Sequence, residues 1–263
     1  MDLGLSGKVA LVGGASRGLG KACALRLAEE GARVAICSRN AAAIEAAAAD
    51  IRSRTAADVL AVAADQSRPQ DIDRVVSRVV ETFGGIDIVV TNTGGPPPGP
   101  FLSQDDSAWE AAFQGLLMSV VRICRAVIPV MRRQGGGRII NNTSFTVKEP
   151  AERLVLSNVF RVGVVALAKT LAREVAADNI RINNVCPGSF DTQRMRDLIE
   201  QGAAAANRTI DQEKAEWLSR IPIGRMQEPE ELAALVAFLA SEHAGSITGA
   251  TLPIDGGMLR GLF

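Results

Sequence analysis

"GGASRGLGKACALRLAEEGA", residues 13–32, decides how the rest of the chain is read. Gly14, Gly18 and Gly20 stand in the spacing G-x-x-x-G-x-G, directly after the apolar run "KVALVG" (8–13) and directly before a helical pattern. Glycines there let the backbone approach a pyrophosphate closely, and the helix start offers unpaired N–H donors and the positive end of its dipole. A glycine-rich loop by itself also fits a plain turn. Its setting between strand and helix favours a dinucleotide cradle, with Gly14, Ser16, Arg17, Gly18, Leu19 and Gly20 as the expected contacts.

Six further strand-like runs extend the same rhythm: "RVAICS" (33–38), "VLAVAA" (59–64), "IDIVVTN" (86–92), "GRIINNTS" (137–144), "IRINNVCPG" (180–188) and "ATLPIDGG" (250–257). Segments of helix length separate them, and the runs are nearly continuous in hydrophobicity. That pattern predicts right-handed βαβ units and a parallel sheet covered on both faces. With no linker, repeat or low-complexity tract, residues 1–263 read as one α/β domain of doubly wound, Rossmann type. Two places break the rhythm. "GGPPPGPFLSQDD" (94–106) is a proline-stiffened loop after the fourth strand, expected as a rigid wall, and residues 189–222 form a helix-rich excursion on the substrate side. Both follow carboxyl ends of strands, where open α/β sheets bind ligands.

Composition removes several classes of function. Of 263 residues, 47% are apolar, enough for a sizeable core, and 29 basic residues balance 29 acidic ones. With no basic block and few aromatics, a nucleic-acid surface or a polybasic membrane anchor has little to be built from. The N-terminal "MDLGLSGKVALVGG" resembles neither a signal peptide nor a span, and no membrane partner is expected. Cys23, Cys37, Cys124 and Cys186 lie in apolar segments with no CxxC pair, so buried free thiols in a reducing cytoplasm are expected, and no metal site. His243, the single histidine, reads as a surface or cap residue.

The second strand ends "CSRN" (37–40), placing Ser38 and Arg39 where an NAD-selective protein usually carries an acid for the ribose 2′-hydroxyl. A carboxylate would repel a 2′-phosphate, whereas Arg39 and Arg17 offer guanidinium forks, so NADP(H) is preferred over NAD(H). Asp65, with Gln66 beside it, is placed to meet the adenine amino group. The competing reading for Asp65 is a helix cap near Ser67 and Pro69.

Together with the glycine loop, "NTGG" (92–95), "GRIINNTS" (137–144), "NNVCPG" (183–188) and "ITGATLPIDGG" (247–257) resemble the short-chain dehydrogenase/reductase family, in the branch that includes 3-oxoacyl carrier-protein reductases. The resemblance implies a seven-stranded parallel sheet, a bound nicotinamide cofactor and a homo-oligomer, a tetramer or dimer formed through two long central helices. It further implies that Asn92 and Gly94 border the cofactor, that Pro187 and Gly188 flank the nicotinamide, and that Thr192 lies near its carboxamide.

At the catalytic positions the chain departs from the family. Ser144 matches the carbonyl-polarising serine, but thirteen residues on stands Ser157 instead of tyrosine, four beyond that Arg161 instead of lysine, and Leu116 takes the asparagine position. The chain contains no tyrosine at all. An aliphatic hydroxyl is a far weaker acid than a phenol, and arginine holds its proton at any physiological pH, although Arg161 can still bind the ribose or a developing oxyanion. Leu116 is expected as apolar filling between helix and sheet.

Three readings follow: an NADP(H)-dependent oxidoreductase acting on a carbonyl or alcohol small molecule with an atypical proton source, a cofactor-binding pseudoenzyme or regulatory subunit, or a non-redox reaction on the same fold. Lys148 is the foremost alternative proton donor, against its reading as a solvated loop lysine, with Arg153, Ser157 and water as others. Trp217, Phe101, Leu102 and Phe190 could line an apolar substrate cleft or pack in the core.

Overall fold

The computed structural model describes residues 1–262. Seven strands, β1 (Val9–Gly13), β2 (Arg33–Ser38), β3 (Val59–Ala63), β4 (Ile88–Thr91), β5 (Gly137–Asn142), β6 (Ile180–Pro187) and β7 (Thr251–Ile254), form one sheet in the order β3-β2-β1-β4-β5-β6-β7. Every pairing is parallel, as predicted from the run of doubly buried strands. Helices α1 (Gly18–Glu29), α2 (Ala41–Arg54) and α9 (Pro229–Ala240) supply the apolar layer on one face. The other face is covered by α3 (Pro69–Phe83), α5 (Ser119–Arg133) and α6 (Val155–Glu174).

The strand order reverses between β1 and β4, so the loops leaving those two strands part to opposite faces and open a crevice at their carboxyl ends. Asn92 closes the bottom of that crevice. Its Nδ2 donates to the carbonyls of Gly13 and Gly14, both at 3.2 Å, and its Oδ1 accepts from Asn142 Nδ2 at 2.8 Å. The turn is tight enough that a Cβ on Gly14 would lie 2.8 Å from Asn92, and Gly14 itself has φ +55°. Only glycine meets both demands.

Helix α4 (Asp106–Ala112) runs into α5 through a π-helical stretch, Phe113–Met118, which carries Leu116. Leu116 is buried with Ala112 and against Leu156 of α6. The expected filling between helix and sheet is therefore corrected: the leucine fills the joint between two helices, because the extra residue of the π turn swings that position toward α6. The 189–222 excursion folds as α7 (Gln193–Ala206) and α8 (Ile210–Ser219).

Polar side chains run through the middle of this apolar sheet. Thr91, Asn141, Asn184 and Thr251 stand opposite one another on β4, β5, β6 and β7. Thr91 Oγ1 donates to Asn141 Oδ1 at 2.8 Å, Asn141 Nδ2 to Asn184 Oδ1 at 2.9 Å, and Asn184 Nδ2 to Thr251 Oγ1 at 3.0 Å. Because Thr91, Asn141 and Asn184 are buried, removing one member strands its neighbours without water. Asn141→Ala is expected to cost about 2–4 kcal/mol, as two buried groups lose their partners, and urea unfolding measures it.

Candidate active site

The crevice is a cleft of about 390 Å³ at the carboxyl ends of the strands. Its phosphate side is made by Gly14, Arg17, Gly18 and Leu19, with Arg39 and Asn92. Whether these residues suit a dinucleotide is tested by the start of α1. Arg17 at its N-cap makes no side-chain cap, and no acid occupies the first turn, so the opening N–H groups and the dipole face the cleft unneutralised. A Cβ on Gly20 would sit 2.5 Å from the Gly14 carbonyl, so that glycine holds helix against loop. The cradle fits a pyrophosphate.

The opposite side is formed by Thr143, Ser144, Ser157, Arg161, Pro187, Gly188, Thr192 and Gly94, together with residues of α7 and Trp217. Ser144 follows β5 and caps a short 3₁₀ turn, its Oγ accepting from Thr146 N at 3.2 Å and leaving its proton free to donate. Ser157 is 7% exposed, and its hydroxyl has no protein hydrogen-bond partner among the described residues. One helical turn on, Arg161 Nη1 donates to the Asn142 carbonyl at 2.9 Å. Burial first, and then the Arg194 charge, push the Arg161 guanidinium down to about 10, so it remains a cation at neutral pH.

Most of the expected contacts meet here, and several do not. Ser38, Asp65 and Lys148 do not line the cleft, and Lys148 is exposed at the end of the 3₁₀ turn. Its exposure is that of a loop lysine, although its charge still reaches Cys186 next to Pro187. Asp65 Oδ1 accepts from Ser67 N at 3.0 Å and Ser67 Oγ at 2.8 Å, which is the turn-capping alternative in an Asx-type form. Gln66 lies beneath the loop with Nε2 on the Asn92 carbonyl, supporting the crevice from below. Ser16 and Gly20 shape the turn without lining the cleft.

Of the apolar candidates, Trp217 and Phe190 line the cleft. Phe101 and Leu102 do not; they are 63% and 93% exposed on the outer surface, because the proline loop carries them past the rim. His243 bonds the Asp2 carbonyl at 2.8 Å near the N-terminus. The four cysteines are free and buried, and burial pushes Cys23, Cys37 and Cys124 up to about 12.

The sequence reading missed Arg194, Asn142 and the fastening of the proline loop. Arg194 Nη2 donates to the Pro96 carbonyl at 2.7 Å, and Gly99 N to the Arg153 carbonyl at 2.7 Å, so α7 and the chain before α6 hold that loop at both ends. An arginine in the first turn of a helix, where the dipole disfavours it, was the available signal.

The fold and cleft agree with what the chain is similar to. The family model described as enoyl-(acyl carrier protein) reductase matches residues 14–259. The chain belongs to the short-chain dehydrogenase/reductase family. It is 34% identical to the 3-oxoacyl-[acyl-carrier-protein] reductase of Vibrio cholerae over 256 residues, covering 97% of this chain and 99% of that one. Dehydrogenase/reductase SDR family member 4 of Homo sapiens is 33% identical, with 96% and 88% covered. Among solved structures, L-sorbose reductase from Gluconobacter frateurii, complexed with NADPH and L-sorbose, superposes with a TM-score of 0.93 at 36% identity over 100% of both chains. A variant of actinorhodin polyketide ketoreductase with NADPH gives 0.93 at 30% identity, covering 97% and 98%.

Within this family fold the Arg161 charge has no carboxylate beside it, and burial opposes it. Arg161→Met should therefore leave folding stability unchanged or raise it by about 1 kcal/mol in urea titrations. A loss of several kcal/mol would mean that the guanidinium holds the fold together.

Proposed function

We propose that this protein is an NADP(H)-dependent oxidoreductase that interconverts a carbonyl and an alcohol on a small molecule, using a site without a phenolic acid. The observation that carries the reading is a pyrophosphate cradle, with Arg17 and Arg39 beside it, facing Ser144 and Arg161 across one cleft. When bound, the nicotinamide supplies or accepts the hydride. The Ser144 hydroxyl donates to the substrate oxygen, and the Arg161 guanidinium opposes the negative charge that develops there. Pro187 and Gly188 form the wall on which the ring would lie, and Thr192 offers a hydroxyl to its amide.

The proton needs another origin than in the family pattern. The ionisable side chains lining the cleft are Arg17, Arg39, Arg161, Arg194 and Asp197, with no lysine, histidine or tyrosine among the described residues there. Water in the open cleft, relayed by the unpartnered Ser157 hydroxyl, is the source that remains. A positioned acid is worth about 10²–10⁴ in rate, so turnover should be slow on unactivated ketones. The same lack of an acid favours the second reading, a cofactor-binding protein without turnover.

Arg17 and Arg39 on the phosphate side, with no acid at the end of β2, support NADP(H) over NAD(H), and the NADPH bound by the two solved relatives agrees with that choice. The decisive experiment pairs nucleotide titration with a carbonyl screen. NADPH should bind at least about tenfold tighter than NADH, with the difference lost in Arg39→Ala, and substrate-dependent NADPH oxidation should disappear in Ser144→Ala. Tight binding with no turnover across the screen selects the second reading. Equal affinities remove the NADP(H) preference.

We also infer a homo-oligomer built on α6. Its most apolar 18-residue window has mean hydropathy 1.5, yet only 28% of that window is buried, and Val159 and Val162 are 48% and 46% exposed. Such a face needs a cover, and a second copy presents the same one. Val162→Asp should lower the mass found by sedimentation; an unchanged mass rejects this face. The buried free cysteines support a reducing, cytoplasmic setting.

A further inference from the structure

Two cations face the substrate side of the cleft without partners. Arg161 reaches it from α6 and Arg194 from the first turn of α7, and each makes one hydrogen bond, to the backbone carbonyls of Asn142 and Pro96 respectively. A guanidinium carries five N–H donors, so most of each group is directed elsewhere. Neither is in an ion pair among the described residues, whereas Arg196, two positions from Arg194, is paired with Asp191 at 3.0 Å. Among the described residues Asp197 is the one acid lining the cleft; it accepts from Gln193 Nε2 at 2.9 Å and forms no ion pair with Arg194, whose charge it favours only from a distance.

This arrangement is costly. The α7 N-terminus is capped by Thr192 and has no acid in its first turn, so Arg194 sits against the positive end of the dipole. Arg161 and Arg194 also repel each other across the cleft, and both are partly withdrawn from water. Arg194 is fixed in place: a Cβ on Gly95 would come within 3.0 Å of its Nη2, so the glycine makes room for the guanidinium. The phosphate side has its own donors in the α1 N-terminus, Arg17 and Arg39, and does not need these two.

We propose that the substrate is itself an anion, a small oxo acid or hydroxy acid whose carboxylate binds between Arg161 and Arg194 while its carbonyl or alcohol carbon faces Ser144. This rests on the oxidoreductase reading above and names its substrate class. A carboxylate matches the planar fork of a guanidinium with two parallel hydrogen bonds, relieves the repulsion between the two arginines, and meets the α7 dipole with the favourable sign.

The test uses levulinate and 2-oxobutyrate, each against its methyl ester, titrated into the whole protein with and without saturating NADP⁺. Trp217 lines the cleft and gives a fluorescence signal, and calorimetry gives a second. At least one acid should bind at least about tenfold tighter than its ester, and Arg194→Gln should bring that ratio near one while NADPH affinity stays within about threefold. Arg194→Lys should keep part of the preference, which separates loss of charge from a misfolded variant. Equal affinities of both acids and their esters overturn the proposal. So does an Arg194→Gln variant that loses about tenfold in NADPH affinity with the ratio intact, since Arg194 would then serve the cofactor phosphates. A protein that prefers acid over ester but takes no NADPH keeps the anion site and loses the oxidoreductase reading.

Discussion

A single line of hydrogen bonds joins the two sides of this cleft. Arg161 donates to the Asn142 backbone, the Asn142 side chain donates to Asn92, and Asn92 donates to the carbonyls of Gly13 and Gly14 at the mouth of the glycine turn. The position of the cation relative to the phosphate cradle is thus set by backbone groups at the ends of β1, β4 and β5. A flexible pair of surface side chains could not hold a guanidinium in a partly buried place where its charge is opposed. Here the sheet holds it, and the unfavourable charge stays available for something that binds.

The surroundings keep that line rigid. One layer below, the ladder from Thr91 to Thr251 ties four strands together through side chains, and Thr91, Asn141 and Asn184 in it have no solvent to turn to. Above, three prolines stiffen the loop after β4, while Arg194 and the Arg153 backbone fasten it on two sides. The substrate wall is therefore built from parts that do not need to move for the cleft to exist. Leu116 fits the same economy. It packs in the α4–α6 joint, where a polar group would have needed a partner that this chain, lacking a tyrosine, has no use for.

The fold was legible in the sequence because the inner strands, buried on both faces, cannot hide their composition, and the half-buried edge runs β3 and β7 keep the same rhythm. The glycine turn was legible for the same kind of reason: Gly14 and Gly18 have positive φ, at which a Cβ is strained. Ser157 and Arg161 were matched to the family's tyrosine and lysine positions by spacing alone, and both line the cleft. Side-chain direction was not legible. Lys148 and Ser157 both lie near the site in sequence, but one caps an exposed turn and the other faces inward from a helix. Arg194 escaped notice because its one signal, a cation in the first turn of a helix, is weak until the missing counter-ion is visible in three dimensions.

The account stands on a guanidinium at 161 facing a nicotinamide across a cleft that has no phenol. A crystal structure of the protein soaked with NADP⁺ measures this directly. The account predicts the pyrophosphate on the α1 N-terminus, the nicotinamide against Pro187 and Gly188, and the Arg161 and Ser144 side chains within contact distance of the ribose or of a molecule bound over the ring. A dinucleotide bound with its nicotinamide outside the cleft, or Arg161 turned away to a carboxylate of a neighbouring subunit, would contradict it.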